Sequence, residues 1–202
     1  MADALPIIQT KLHRPSLPRD LVVRSRLTSL LDCPPQRPLT LVSAPAGYGK
    51  STLISCWAEA AKAQECPVAW ISVDKHDNDP AVFLNYYVAA IQSLFPDSCS
   101  NILRVLQAPD LPSPATLEAV LINDLNHLPR VFSLVLDDYH LLHNVEVLEM
   151  MRLVVKHSHP MMNLIIVSRT DPFLPLPRLR LEQQLLEIRE HDLRFSDGEA
   201  VS

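Results

Sequence analysis

The chain has 202 residues, of which 48% are apolar, and its formal net charge at pH 7 is -5. This length suits one α/β domain with at most a small appendage, and the apolar fraction is enough for a sizeable core. Domains whose main task is to grip nucleic-acid backbones are usually basic. The acidic balance therefore predicts that these residues do not bind DNA themselves.

The four cysteines, at positions 33, 56, 66 and 99, lack the C-x2-C spacing of zinc sites. Thiols spaced so widely predict reduced, buried cysteines in a cytosolic protein. The N-terminal residues contain no apolar run long enough for a signal peptide or a membrane span. We therefore expect a cytoplasmic protein with no membrane partner.

Residues 1–37 are predicted to form an arm and one short helix that belong to the same module as the core. Three prolines favour an extended arm, and the pattern over Arg24–Leu31 favours the helix. The predicted core spans residues 38–195. Ser196 and Glu199 have the spacing of a capping box, which opens a helix. Because the sequence stops three residues later, residues 196–202 are expected to begin a truncated following domain.

Apolar runs that predict strands alternate with amphipathic stretches that predict helices. The predicted strands are Leu39–Ser43, Val68–Val73, Val131–Asp137, Asn163–Ser168 and Gln184–Arg189. The predicted helices are Lys50–Gln64, Ala81–Phe95, Pro114–Asn126 and Val145–His157. The second, third and fourth strands are nearly continuous in apolar residues, which is typical of parallel strands buried on both faces. The alternation predicts an α/β fold with a five-stranded parallel sheet and helices on both faces.

A glycine-containing loop joins the first strand to the first long helix. Its sequence is Ala44-Pro-Ala-Gly-Tyr-Gly-Lys-Ser-Thr52, a phosphate-binding loop in its required strand–loop–helix context, with alanine in place of the first glycine. Glycines let successive N–H groups converge on an anion, and the helix that follows adds its positive end. Lysine supplies charge to the β- and γ-phosphates, and the serine hydroxyl can bind Mg²⁺. The predicted phosphate-binding residues are Ala46, Gly47, Tyr48, Gly49, Lys50, Ser51 and Thr52.

The third strand ends in two carboxylates, Asp137 and Asp138. In phosphate-loop enzymes the first acid contributes to the Mg²⁺ site, and a neighbouring acid can activate the attacking water. The sequence therefore predicts Asp137 as a metal-site residue and Asp138 as the catalytic base. The alternative is that both acids only end the strand and begin a turn.

Arg169 follows the fourth strand, whose end is expected to lie beside the acidic strand and the phosphate loop. There Arg169 would face the γ-phosphate, and we predict a catalytic, nucleotide-sensing role for it. The alternatives are a solvated arginine and an arginine paired with Asp171.

Six motifs, taken together, resemble the N-terminal ATPase domain of the large ATP-binding LuxR-type transcriptional regulators, the MalT-type members of the STAND nucleoside triphosphatases. They run nearly from end to end of the chain. They are Thr10–Leu12 with Leu21–Leu27, Ser43–Lys50, Trp70–Asp74 with Asp77–Pro80 and Phe83, Leu136–His140, Ser168–Pro172 and Asp192–Phe195.

The resemblance implies a slow ATPase switch that binds ATP or ADP with Mg²⁺ and self-associates when ATP and an inducer bind. It also implies that Val22, Val23 and Arg24 pack beside adenine, although an ordinary helix entry would look the same. Arg178 and Arg180 could reach phosphates or a neighbouring subunit, or belong to a solvated face. The family's DNA-reading domain would lie beyond these residues, in the rest of the parent regulator.

Two other function classes compete with a signalling ATPase module of a bacterial transcription activator. A kinase-like phosphate-loop enzyme would need a phosphoacceptor site and a mobile basic lid, and the sequence indicates neither. A nucleotide-dependent scaffold would bind ATP without turnover, and Asp138 argues against that class without excluding it.

Overall fold

The computed structural model describes residues 7–18, 20–31, 37–63, 66–108, 112–157, 162–196 and 199. Its strands form one sheet, and every neighbouring pair within it is parallel. The strands are β1 Leu39–Ser43, β2 Val68–Ser72, β3 Phe132–Asp137, β4 Met162–Ser168 and β5 Leu185–Arg189. Their order across the sheet is β2-β3-β4-β1-β5. The predicted five-stranded parallel sheet is confirmed, and each strand agrees with its predicted position to within about one residue.

The predicted helices are present, and the structure adds two short ones. The helices are α1 Ser25–Thr28, α2 Lys50–Ala63, α3 Pro80–Gln92, α4 Ser100–Leu106, α5 Pro114–Leu125, α6 Val145–Lys156 and α7 Leu176–Leu181. Helices α4 and α7 have seven and six residues, too few for apolar periodicity to reveal them in the sequence. Helix α3 starts as predicted, because the Asp79 side chain accepts hydrogen bonds from the backbone N–H groups of Ala81 and Val82.

Helices cover both faces of the sheet. One apolar cluster joins alternate residues of the strands, such as Leu41, to helices α3, α5 and α6. The other joins the intervening residues, such as Val42, to α1 and α2. Every residue of β1, β3 and β4 is buried, as expected for strands covered on both sides.

Strand β2 lies at one edge of the sheet, and the N-terminal arm lies against it. The arm forms a 3-10 turn over Gln9–Leu12, and the Lys11 ammonium donates to both carboxylate oxygens of Asp77, at 2.6 and 2.7 Å. Asp77 is completely buried. Asp74 caps the short turn Lys75–Asn78, and its carboxylate lies 3.2 Å from the Lys11 nitrogen. These two acids therefore anchor the arm, a role that the sequence did not reveal.

One cysteine contradicts the prediction of reduced thiols. Cys66 is disulfide-bonded, whereas Cys56 and Cys99 are free thiols. Spacing along a chain does not show which sulfurs approach each other in space, and distance in the fold decides pairing. Within the described part of the chain, no helix is long and apolar enough to cross a lipid bilayer.

Strand order brings the candidate site together. Strand β4 lies between β1 and β3, so the segments that follow these three parallel strands emerge side by side at one edge. The backbone confirms this, because the N–H of Ala44 donates to the carbonyl of Ser168 at 3.3 Å. The phosphate loop, the acid pair and Arg169 therefore share one edge of the sheet.

Candidate nucleotide site

The glycine loop has a backbone that only glycine adopts easily. Gly47 has φ +86° and Gly49 has φ +71°, both in the left-handed region. A Cβ atom at either position would meet nothing within 4 Å, so conformation rather than space requires glycine there. Helix α2 follows at once, and its first turn closes where the Leu53 N–H donates to the Gly49 carbonyl at 2.8 Å. The loop and the helix start therefore form the arrangement that binds anions in proteins.

Lys50 lies folded against this loop. Its ammonium donates to the Pro45 carbonyl at 2.8 Å, and the side chain is buried. Burial lowers the pKa of Lys50, and the charge of Arg169 lowers it further, whereas the charges of Asp138 and Asp137 raise it. The lysine thus lies within electrostatic reach of three of the other predicted site residues.

Ser51 and Asp137 meet directly. The Ser51 hydroxyl donates to Oδ1 of Asp137 at 2.8 Å, and the same oxygen accepts from the backbone N–H of Asp138 at 3.0 Å. Asp137 is buried, and burial raises its pKa above the usual range. A hydroxyl and a carboxylate in contact are hard oxygen donors of the kind that Mg²⁺ binds. The donor set therefore fits a magnesium ion held with the help of phosphate oxygens.

Asp138 has an unusual backbone. Its φ and ψ are 56° and 33°, in the left-handed region that residues with a Cβ rarely occupy. Its side chain is 49% exposed, whereas that of Asp137 is buried. The left-handed turn takes Asp138 out of the strand, so the two adjacent carboxylates lie in different environments.

Arg169 and His140 complete the group at this edge. Arg169 is exposed, and its charge contributes to lowering the pKa values of Lys50 and His140. The ion pair of Asp171 is with Arg189, which argues against the alternative that Asp171 holds Arg169. The Nδ1 atom of His140 lies 3.9 Å from Oδ1 of Asp138.

Next to the phosphate loop lies a cavity of about 590 Å³. Val22 and Arg24 line one side, and the loop itself lines another. The remaining wall includes Leu193 and Phe195. This volume falls within the range of small-molecule sites, and the lining is largely apolar, which suits an aromatic base.

The side chain of Val23 is 58% exposed and does not line this cavity. Of the three residues predicted beside adenine, the structure places Val22 and Arg24 at the cavity. Neighbouring residues in an irregular segment point in different directions, so the sequence alone could not separate them.

The buried guanidinium of Arg24 ties the arm to the far wall. It donates to the backbone carbonyls of Leu193 and Arg194 and lies over the Phe195 ring, 4.7 Å from its centroid. Burial lowers the pKa of Arg24. The contact joins two walls of the cavity, which come from segments about 170 residues apart in the chain.

Tyr48 of the phosphate loop reaches the same wall. Its hydroxyl donates to Oε1 of Glu190 at 2.9 Å, and Arg194 donates to that oxygen at 3.0 Å. The segment after β5 is therefore bonded both to Arg24 and to the glycine loop. Asp192–Phe195 is one of the motifs that carry the family resemblance, but the sequence indicated no role for this motif and did not single out Glu190.

The chain has curated relatives over nearly its whole length. It is 39% identical to the HTH-type transcriptional regulators MalT of Cronobacter sakazakii and Yersinia enterocolitica, and 38% identical to that of Klebsiella pneumoniae. Each match runs over 194 residues, or 96% of this chain. This chain is homologous to one segment of the MalT regulators. The resemblance predicted from the motifs is confirmed.

The chain spans about a fifth of the length of these relatives, or 21%. Among solved structures it is similar to Cdc6p from Pyrobaculum aerophilum, with a TM-score of 0.56 and 17% identity. That similarity covers 91% of this chain and 50% of the other, and at this identity it concerns the fold alone. No protein-family profile matches the chain.

Proposed function

We propose that this chain is the ATP- and Mg²⁺-binding switch module of a bacterial transcriptional activator, and that it hydrolyses ATP slowly. The Ser51–Asp137 hydrogen bond of 2.8 Å is the observation that carries the proposal. It joins the helix after a glycine loop to the end of a buried strand 86 residues further on. Two oxygen donors brought together beside an anion-binding loop suit a nucleotide with its divalent cation.

Residues 46–52 would bind the phosphates, with Lys50 exchanging the Pro45 carbonyl for the β- and γ-phosphate oxygens. Ser51 and Asp137 would hold the magnesium ion, which neutralises phosphate charge when bound. The adenosine would occupy the 590 Å³ cavity beside the loop, between Arg24 and the 193–195 wall.

Asp138 would accept a proton from the attacking water. The water oxygen bonds to the γ-phosphorus while the bond from that phosphorus to the β,γ-bridging oxygen breaks, giving ADP and inorganic phosphate. Arg169 would stabilise the charge on the transferred group and report whether the γ-phosphate is present.

The regulatory part of the proposal rests on the MalT relatives, which are transcriptional regulators by name. In a longer cytoplasmic regulator, exchange of ADP for ATP together with an inducer would promote self-association. The network around Glu190 supports a link between nucleotide and the rest of such a protein, because it bonds the phosphate loop to the segment that follows the sheet.

Equilibrium titration with a fluorescent ATP analogue, with and without Mg²⁺, tests the nucleotide site. Lys50→Ala removes a charge that would contact two phosphates, so its affinity should fall by roughly ten- to a hundredfold, or about 1.5–3 kcal/mol. The matched control is Lys156→Ala, an exposed lysine at the end of α6, which should bind as the wild type does. Equal affinities for Lys50→Ala and the control would contradict the assignment of the loop.

A further inference from the structure

His140 lies in the 3-10 turn Tyr139–Leu141, directly after the acid pair. Its side chain is 15% exposed, and its Nδ1 atom is buried without a hydrogen-bond partner among the described residues. An unpaired polar atom away from water is costly, and such atoms concentrate where function requires them. The imidazole therefore has an unused hydrogen-bonding group at the candidate site.

The groups that face His140 define what this nitrogen can do. Asp138 has a carboxylate oxygen 3.9 Å from Nδ1, and the charges of Lys50 and Arg169 also reach the ring. Burial lowers the pKa of His140, and Lys50 and Arg169 act in the same direction, whereas Asp138 opposes them. A neutral imidazole can donate from Nδ1 without cancelling the negative charge that a base needs.

The backbone of Asp138 is held in place by its neighbours, whereas its side chain can rotate. Its left-handed turn is set by the end of β3 and the turn that follows, and its carboxylate is half exposed. A gap of 3.9 Å exceeds a hydrogen bond by about 1 Å, a distance that rotation of a short side chain covers.

We propose that His140 is the positioning residue for Asp138, and that its Nδ1–H donates to the Asp138 carboxylate when nucleotide is bound. The inference rests on the proposed function, because orienting Asp138 toward water serves hydrolysis. His140 keeps its proton throughout, while Asp138 accepts the one released by water.

Two substitutions separate this role from mere packing. His140→Asn keeps an N–H donor at the δ position, whereas His140→Gln moves the donor one atom further out. The Asn variant should turn over ATP within about threefold of the wild type, and the Gln variant should lose on the order of tenfold in kcat, with KM and ATP-analogue affinity unchanged in both. His127→Gln is the matched control, since His127 is exposed near the amino end of β3.

Unchanged analogue affinity also shows that each variant is folded. Equal turnover by the Asn and Gln variants would overturn the proposal, as would a loss confined to KM.

A second readout does not depend on hydrolysis. The Cε1–H signal of His140, identified as the one missing in His140→Asn, is followed through a pH titration by NMR. Asp138→Asn removes the charge that favours the imidazolium, and asparagine tolerates the left-handed backbone, so the titration midpoint of His140 should fall. An unchanged midpoint would overturn the proposal.

If the wild type releases no phosphate, the proposed hydrolysis is wrong, and this titration alone then decides whether the two residues are paired.

Discussion

At the scale of single residues, two adjacent carboxylates lie in different environments. Asp137 is buried and bonded to Ser51, and Asp138 is half exposed on a left-handed turn. Adjacent side chains on a strand point to opposite sides, so the sequence could predict that only one acid faces the candidate metal site. It could not predict that Asp138 leaves the strand, because that turn has no glycine or asparagine to mark it.

This difference leads to a division of labour that mutation can test. Asp137→Asn should weaken Mg²⁺-dependent binding of the ATP analogue, because a charged oxygen ligand is lost. Asp138→Asn should keep binding and lower turnover by on the order of a hundredfold, the contribution of a general base. Binding and phosphate release are measured separately for each variant. Wild-type turnover in Asp138→Asn would show that Asp138 is not the base.

The position and conformation of the glycine loop could be predicted from the sequence, whereas the cavity wall could not. Loop chemistry depends on residues close together in the chain, such as Gly47, Gly49 and Lys50, so a motif records it. The wall depends on Arg24 meeting Leu193 and Phe195, which only the fold brings together. His140 belongs to the motif Leu136–His140, but nothing in the sequence shows that its Nδ1 atom lacks a hydrogen-bond partner in the part of the chain that the structure describes.

At the scale of elements, long periodic segments were predictable and short ones were not. Strand β4 was expected beside the acidic strand, and it lies between β3 and β1. The apolar sequence of β2 is typical of a strand inside the sheet, so its position at an edge was not expected. Three of its five residues are nevertheless buried. The arm accounts for this, because it packs against β2 and supplies cover that the strand's own neighbours do not.

A charge network connects α7 to β5 and predicts how stability depends on pH. Glu187 accepts hydrogen bonds from Arg180 and Arg189, and these lower its pKa from 4.5 to about 2. A carboxyl whose pKa is lowered in the fold stabilises the folded state fully at pH values above its pKa in the unfolded chain. This contribution is lost as the pH falls toward the pKa in the fold, about 2. Because the Arg180 side chain is 46% exposed, solvent screens this network, and the effect should be at most about 1 kcal/mol.

Glu187→Gln should therefore lower the free energy of unfolding at pH 7, and the difference from the wild type should shrink between about pH 4.5 and pH 2. Urea unfolding at pH 7, 5 and 3 measures it. Glu182→Gln is the control, since it removes one exposed pair with Arg178. A difference that grows as the pH falls would contradict the sign of this prediction.

At the scale of the whole molecule, net charge and its arrangement decide which large partners the chain can bind. The sequence places its C-terminal arginines among acids, and the structure shows them paired. Arg178 bonds Glu182, Arg180 bonds Glu187, Arg189 bonds Asp171 and Glu187, and Arg194 bonds Glu190. Of the alternatives that the sequence left open for Arg178 and Arg180, these pairs favour a solvated, ion-paired face.

These pairings sharpen the prediction about DNA. Nonspecific binding of duplex DNA depends on lysines and arginines that neutralise several phosphates and release their counterions. In this chain the net charge is -5, and the arginines that cluster near residues 178–194 already bind carboxylates. Residues 1–202 should therefore show no measurable affinity for duplex DNA, with or without ATP, even though the MalT relatives are transcriptional regulators.

Fluorescence anisotropy at about 150 mM salt, where weak surface attraction is largely screened, measures this affinity. Saturable binding there would contradict the prediction, and would mean either that a DNA-reading element lies within residues 1–202 or that an assembly creates a basic surface that a single chain lacks.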